Sequence, residues 1–198
     1  LLNSSSGVNA LVERYIEAAD WGLWDDGWHF IASPVTTQTI NSVSGFVTSG
    51  PPSDDYDLYA WHEPGNVWVN FKNTTSTPTW NDVNNNSPDF LVGKGYMASY
   101  QVTDTKEFKG VMNVNDVAVT GLGISTGSNQ SWHLLGNPYA SALAWDGTWT
   151  TSNISGIAKI WSEEGKAYQD LTPADVANSV IPSGNGFMVE VSSGTGSL

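Results

Sequence analysis

Gly27-Trp28-His29-Phe30-Ile31-Ala32-Ser33-Pro34-Val35 returns later in the chain as Ser131-Trp132-His133-Leu134-Leu135-Gly136-Asn137-Pro138-Tyr139. Each copy is a short apolar run behind Trp-His, stopped by a proline. A proline has no amide to give a ladder, so the pattern is that of a buried strand ending in a turn. Two further blocks recur in the same order. Trp61-His62-Glu63-Pro64-Gly65-Asn66-Val67-Trp68 returns as Trp161-Ser162-Glu163-Glu164-Gly165-Lys166-Ala167-Tyr168, and Gly93-Lys94-Gly95-Tyr96-Met97 as Gly184-Asn185-Gly186-Phe187-Met188. Ordered recurrence of this kind is the mark of a repeated supersecondary unit, here with shorter loops in its second appearance.

The blocks predict strands. Leu58 to Trp61 and Val67 to Phe71 flank Glu63-Pro64-Gly65-Asn66, where Pro presets φ and Gly accepts a positive one, so they form a hairpin. Gly-x-Gly leads into apolar strands at Tyr96 to Tyr100 and Phe187 to Val191. Gly95 and Gly186 stand where backbone room or positive φ calls for glycine. Glu107 to Met112 and Val117 to Leu122 are expected to pair across Asn113-Val114-Asn115-Asp116, with Leu11 to Ile16 as the earlier counterpart of Val117 to Leu122. One short helix is expected near 172–178, from an N-cap Thr172, Pro173 at the first helical position and Asp175 in the first turn. Asn73 to Pro78 and Asn81 to Pro88 read as surface loops.

The predicted fold is all-β, a β-sandwich or barrel-like body of two tandem copies of one β-unit in a pseudo-twofold relation. Residues 1–122 make the first unit with its N-terminal strand and linking hairpin, and residues 123–198 the second, shorter one, within one compact body. Ten Trp and twenty Gly among 198 residues suit short strands and tight turns.

Charge narrows the partners. Twenty acidic residues against seven Lys and Arg give a net −13, which repels phosphate backbones and anionic bilayers, so neither nucleic acid nor membrane insertion is expected. No apolar run is long enough for a span, and the absence of Cys rules out a disulfide framework. The sequence reads as a piece of a longer protein.

Taken together, Trp-His-Phe-Ile-x-Ser-Pro-Val (28–35), Leu-Tyr-x-Trp-x-Glu (58–63), Gly-Lys-Gly-Tyr (93–96), Trp-His-Leu-Leu-Gly-Asn-Pro-Tyr (132–139) and Gly-x-Gly-Phe-Met-Val (184–189) resemble a β-rich domain of large secreted Bacteroidota proteins. That domain commonly precedes the C-terminal sorting domain of type IX secretion. The likeness runs from about Ala10 to Val191 and rests on motif order. It implies an extracellular or cell-surface address and attachment to larger enzymes or adhesins. It brings no catalytic residue with it.

No catalytic constellation is found: there is no Gly-x-Ser-x-Gly, no His-Glu-x-x-His and no phosphate loop, so no enzyme is expected. His29 and His133 hold equivalent positions and read as structural. His62 and Glu63 are adjacent on a strand end and point apart, a poor acid–base pair. No cofactor is expected apart from calcium, for which Asp54, Asp55 and Asp57 supply the hard oxygen ligands; the same residues also read as solvated turn carboxylates.

Aromatic residues carry the remaining signal. Recurring Trp28, Trp61, Trp132 and Trp161 read as core. Trp21, Trp24, Trp80 and Trp149 have no such recurrence, and with Asp25 and Asp26 they are the expected glycan-stacking site, ring faces against sugar C–H surfaces and carboxylates on hydroxyls. The expected function is a non-catalytic extracellular module of a larger secreted or surface protein, binding a polysaccharide or surface glycan. The alternative is a structural spacer or fibre-forming module whose partners are neighbouring domains of the same polypeptide.

Overall fold

The computed structural model describes residues 7–23, 26–48, 55–127 and 130–198. The chain is all-β, with antiparallel sheets in a β-sandwich-like arrangement. The first four-stranded sheet has the order β2 (His29–Ala32), β5 (Gly95–Tyr100), β3 (Tyr56–His62), β4 (Val67–Asn70). The second has the order β7 (Trp132–Gly136), β12 (Gly186–Val191), β9 (Ile154–Ser162), β10 (Ala167–Leu171). Two two-stranded pairings complete the body, the long β1 (Asn9–Ile16) with β6 (Asp104–Val111), and the short β8 (Leu143–Ala144) with β11 (Val180–Ile181).

The two large sheets share their strand order and also their register. His29 lies opposite Ala98 and His133 opposite Val189; Tyr59 opposite Met97 and Lys159 opposite Met188; Trp61 opposite Trp68 and Trp161 opposite Tyr168. Local chemistry follows the register. In each β-hairpin a side chain at the end of the first strand receives the amide of the turn glycine, Gly65 to His62 Nδ1 and Gly165 to Ser162 Oγ, both at 3.1 Å. The next residue is left-handed in both, Asn66 at φ 50° and Lys166 at φ 46°. Gly93 and Gly184, which open the third block, have φ of 78° and 71°.

Alternation along the strands splits each sheet into two faces. Ile31, Leu58, Ala60, Val69, Tyr96 and Ala98 point to the outer side of the first sheet, into a core closed by Phe46, Phe90 and Phe108. Leu135, Ala158, Phe187 and Val189 do the same for the second, under Leu122, Trp145, Leu171 and Ile181. The inner faces meet through Phe30, Leu134 and Met188, with Trp61, Trp68, Met97, Trp132 and Trp161 packed around them. Each fully buried large side chain contributes roughly 1.5–3 kcal/mol, so the two outer cores carry most of the stabilisation and the central cluster joins them.

The sheets also exchange backbone contacts. Ala32 N donates to Gly184 O at 2.9 Å, and Gly136 N donates to Gly93 O at 3.0 Å. Ile31 bridges Asn185 while Leu135 bridges Lys94, so each sheet gives the other the same contact it receives.

Three local expectations are corrected. No helix forms at 172–178: Thr172 to Ser179 is a run of turns, cinched where Ser179 Oγ donates to Thr172 O and accepts from Thr172 N, both at 2.8 Å. A stretch this short cannot offset the cost of helix nucleation once its ends are tied together. The single α-helix among the described residues, α1 (Trp80–Val83), lies instead in the segment read as a loop, held by a capping box between Thr79 and Asp82. Finally, Glu107 to Met112 does not pair with Val117 to Leu122. β6 pairs with β1 through eight residues, and 119–122 pairs instead with 196–198, where Val119 and Leu198 exchange two bonds of 2.9 Å.

Candidate functional site: an aromatic cleft between the sheets

Strand parity puts Tyr59 and Trp61 on the opposite face of β3 from Leu58 and Ala60, and Trp68 opposite Val69 on β4. Leu58, Ala60 and Val69 turn to the outer core, so Tyr59, Trp61 and Trp68 face the other sheet. Its matching face offers Trp132, Lys159, Trp161, Tyr168 and Met188. The inner faces touch at Phe30, Leu134 and Met188, and beside this contact lies a cleft of about 410 Å³ lined by Trp61, Asn66, Trp68, Trp132, Lys159, Tyr168 and Met188.

The rings are fixed rather than loose. Trp61 and Trp68 meet edge to face, centroids 5.1 Å apart at 60°, and Trp61 Nε1 donates to the Trp132 carbonyl at 2.7 Å. Trp61, Trp68 and Trp132 are half-buried, and Tyr168 is 46% exposed. Lys159 Nζ stands 5.6 Å from the Trp132 centroid and is ion-paired with Asp170. Asn66, in the left-handed position at the hairpin tip, brings an amide to the rim. The cleft thus offers ring faces, a paired ammonium and carboxylate, and an amide, on rigid strands.

Both hairpin tips are anchored to the opposite half. Glu63, buried, accepts from Ser125 N at 2.8 Å and Ser125 Oγ at 2.9 Å. Its counterpart Glu163 accepts from Arg14 at 2.5 Å and lies 2.8 Å from Nδ1 of buried His29. Burial raises the Glu163 carboxyl, but the hydrogen bond with His29 and the Arg14 charge outweigh it and hold the group below its ordinary range. His29 Nε2 meets the Glu17 carbonyl at 3.2 Å, as His133 Nε2 meets that of Gly123 at 2.8 Å. These histidines hold the sheets to the segments that cover them.

The glycan-site residues expected from sequence are dispersed. Trp80 is buried at 5% exposure, packed on Phe71 and Tyr96 in the first outer core. Trp149 is half-buried against Trp145 and Phe187 in the second, its Nε1 donating to Ala144 O at 2.8 Å. Trp21 is half-buried, its Nε1 donating to Ser99 Oγ at 3.1 Å. Trp24, Asp25 and Asp54 lie outside the described residues. Asp26 accepts from Asp20 N at 2.7 Å, which chiefly holds its carboxyl below the ordinary range, and pairs with Lys166 at 2.9 Å, which adds to the effect. Of the tryptophans read as core, Trp61, Trp132 and Trp161 pack half-buried on the central Phe30, Leu134 and Met188 cluster, and Trp28 is half-buried against Tyr59; Trp61 and Trp132 also line the cleft. Period-two alternation in Tyr56–His62 was the signal that separates the face of Trp61 from the outer core.

Asp57 accepts from Asn70 at 2.7 Å and Asp55 from Thr48 at 3.1 Å; among the described residues no group of three or more acidic or His side chains could hold a metal ion. A larger cavity, about 560 Å³, lies on the outer side of the second sheet beside Val117 to Thr120, Trp149 and Leu198. The Tyr139 hydroxyl on its wall donates to Asn115 O and accepts from Val117 N, and Asp116, Thr120 and Thr148 line it as well. Among the described residues no helix is long and apolar enough to cross a membrane. No protein-family model matches the chain, and no curated protein or solved structure matches it.

Proposed function

We propose that the protein is a non-catalytic glycan-binding module of a larger secreted or cell-surface protein of the Bacteroidota type, and that the cleft between its sheets is the binding site. The carrying observation is the set of partly exposed rings of Trp61, Trp68, Trp132 and Tyr168 held around one open cleft with Asn66 and Lys159. Partly exposed aromatics locked on strands give a flat apolar surface at little entropic cost, while the amide and the Lys159–Asp170 pair reach hydroxyls. A net charge of −13 disfavours sulfated or uronate polymers, so the ligand is neutral. The motif order supports the extracellular address, and the shared register of the two sheets supports descent from one duplicated unit.

Calorimetric titration with neutral oligosaccharides tests the site. Trp68→Ala is expected to weaken binding by about tenfold or more, the worth of one well-placed ring, at a temperature below its melt, which falls because the ring also packs on Phe30 and Trp61. Raising salt should change affinity little, because no net charge is neutralised on binding. Undiminished affinity in Trp68→Ala would refute the assignment.

A second reading has its own observation. β10 forms the outer edge of its sheet with four of its five residues exposed, an unpaired ladder able to join another strand. A fibre-forming surface module is therefore the alternative, and concentration-dependent assembly abolished by Gln169→Pro would favour it.

A further inference from the structure

The rings of the cleft have counterparts across the two sheets. Through the shared register, Trp61 and Trp68 correspond to Trp161 and Tyr168, while Trp132 and Lys159 correspond to Trp28 and Tyr59. The correspondence holds in geometry. Trp161 and Tyr168 meet edge to face at 5.3 Å and 79°, as Trp61 and Trp68 do at 5.1 Å and 60°. Trp28 meets Tyr59 at 5.8 Å and 71°, in the place where Trp132 faces the Lys159 ammonium. Trp28, Tyr59 and Trp161 are all half-buried, so each retains a solvent-facing portion.

Phe30 ties the two sets together. Its buried ring lies 6.1 Å from Trp68, 6.0 Å from Tyr168 and 6.4 Å from Trp161, fixing them relative to one another. Trp68 and Tyr168 are each other's counterparts, and both rest on Phe30 at the wall of the cleft, with Trp161 in contact with Tyr168 and Phe30. Lys159 in the cleft pairs with Asp170, and Lys166, the counterpart of the rim residue Asn66, pairs with Asp26 at 2.9 Å. A paired ammonium and carboxylate present donors and acceptors without net charge, which suits hydroxyls and not sulfates.

We propose that Trp28, Tyr59 and Trp161 form a second sugar-stacking subsite, and that the ligand is an internal stretch of a linear neutral polysaccharide laid along both. This rests on the glycan reading of the cleft and specifies its ligand. Stacking rings offer faces and no closed end, so they do not require a chain terminus. Two subsites act on one chain with a high effective concentration, which makes affinity depend on ligand length.

The test is calorimetry with the cello-, xylo- and manno-oligosaccharide series, disaccharide to hexasaccharide, on wild type, Trp28→Ala and Trp132→Ala. Tyr59→Ser serves as a second variant in case Trp28→Ala fails to fold, which its thermal melt will show. In the series that binds, the wild type should gain about tenfold or more in affinity on lengthening. Trp28→Ala and Tyr59→Ser should bind the shortest bound ligand as the wild type does and lose that gain, whereas Trp132→Ala should weaken the shortest ligand itself. Wild-type-like titration of every length by Trp28→Ala and Tyr59→Ser would overturn the second subsite while leaving the cleft intact. No binding of any member by the wild type would overturn both readings.

Discussion

A β-carbon added at Gly95 would lie 2.3 Å from the Leu135 carbonyl oxygen and 2.7 Å from Leu134 Cγ. The first is backbone and cannot turn aside, so the two sheets approach this closely only because residue 95 has no side chain. Gly95→Ala should therefore destabilise the protein by about 2–4 kcal/mol, against less than about 0.5 for Gly156→Ala, where nothing lies within 4 Å of the added carbon. Urea denaturation of both variants checks this, and equal midpoints would refute it. Glu163 acts at the same scale by a different force. Its lowered carboxyl pKa means that its contribution is fully present above the unfolded carboxylate value and is lost as pH falls through the lower folded value. Glu163→Gln should cost about 1–2 kcal/mol at neutral pH, the group being only partly shielded from solvent, and should cost progressively less as the medium is acidified through that range. A pH-independent penalty would show that shape rather than charge anchors this hairpin.

Among the elements, the strands of the three recurring blocks were legible because each combines a short apolar run with a stop that has a mechanism: Pro34 and Pro138 end β2 and β7, and Gly65 and Gly165 turn the hairpins. What sequence reading missed is of two kinds. The partner of β6 is β1, nearly the whole first unit away, and no local feature of Glu107 to Met112 encodes a pairing at that range. The helix was sought at Thr172, where the cap pattern is good, yet it forms at Thr79, where an equal pattern sits in a polar stretch whose Trp80 finds the core. The cap is decided by burial of the turn behind it. Thr79→Ala should thus cost about 1 kcal/mol by loss of a working N-cap, while Thr172→Ala, whose hydrogen bonds are made by its backbone, should be close to neutral. Thermal melts of the pair decide it. For the candidate site, recurrence marks the rings that pack at the joint between the sheets, Trp61, Trp132 and Trp161 on the central cluster, while their partial exposure to a cleft depends on how the two sheets meet, which no local pattern encodes.

At the scale of the whole molecule, the question is whether the two halves unfold together. Each has its own outer core, yet the inner faces share Phe30, Leu134 and Met188, and the exchanged bonds Ala32 to Gly184 and Gly136 to Gly93 place a strand end of each sheet under the other. A side chain at Gly136 would meet Ala32 Cβ at 2.4 Å and Lys94 O at 2.5 Å, so the contact leaves no slack for one sheet to loosen while its neighbour holds. Losing either half would also expose the tryptophans around the central cluster and free Glu63 or Glu163 from its anchor. The expected outcome is one cooperative transition, with tryptophan fluorescence, near-ultraviolet and far-ultraviolet circular dichroism giving coincident denaturant midpoints. Gly136→Ala should lower that single midpoint for all three probes alike. Were the halves independent, the probes would separate, because tryptophans of the first half, such as Trp80, would report one transition and Trp145 and Trp149 of the second another.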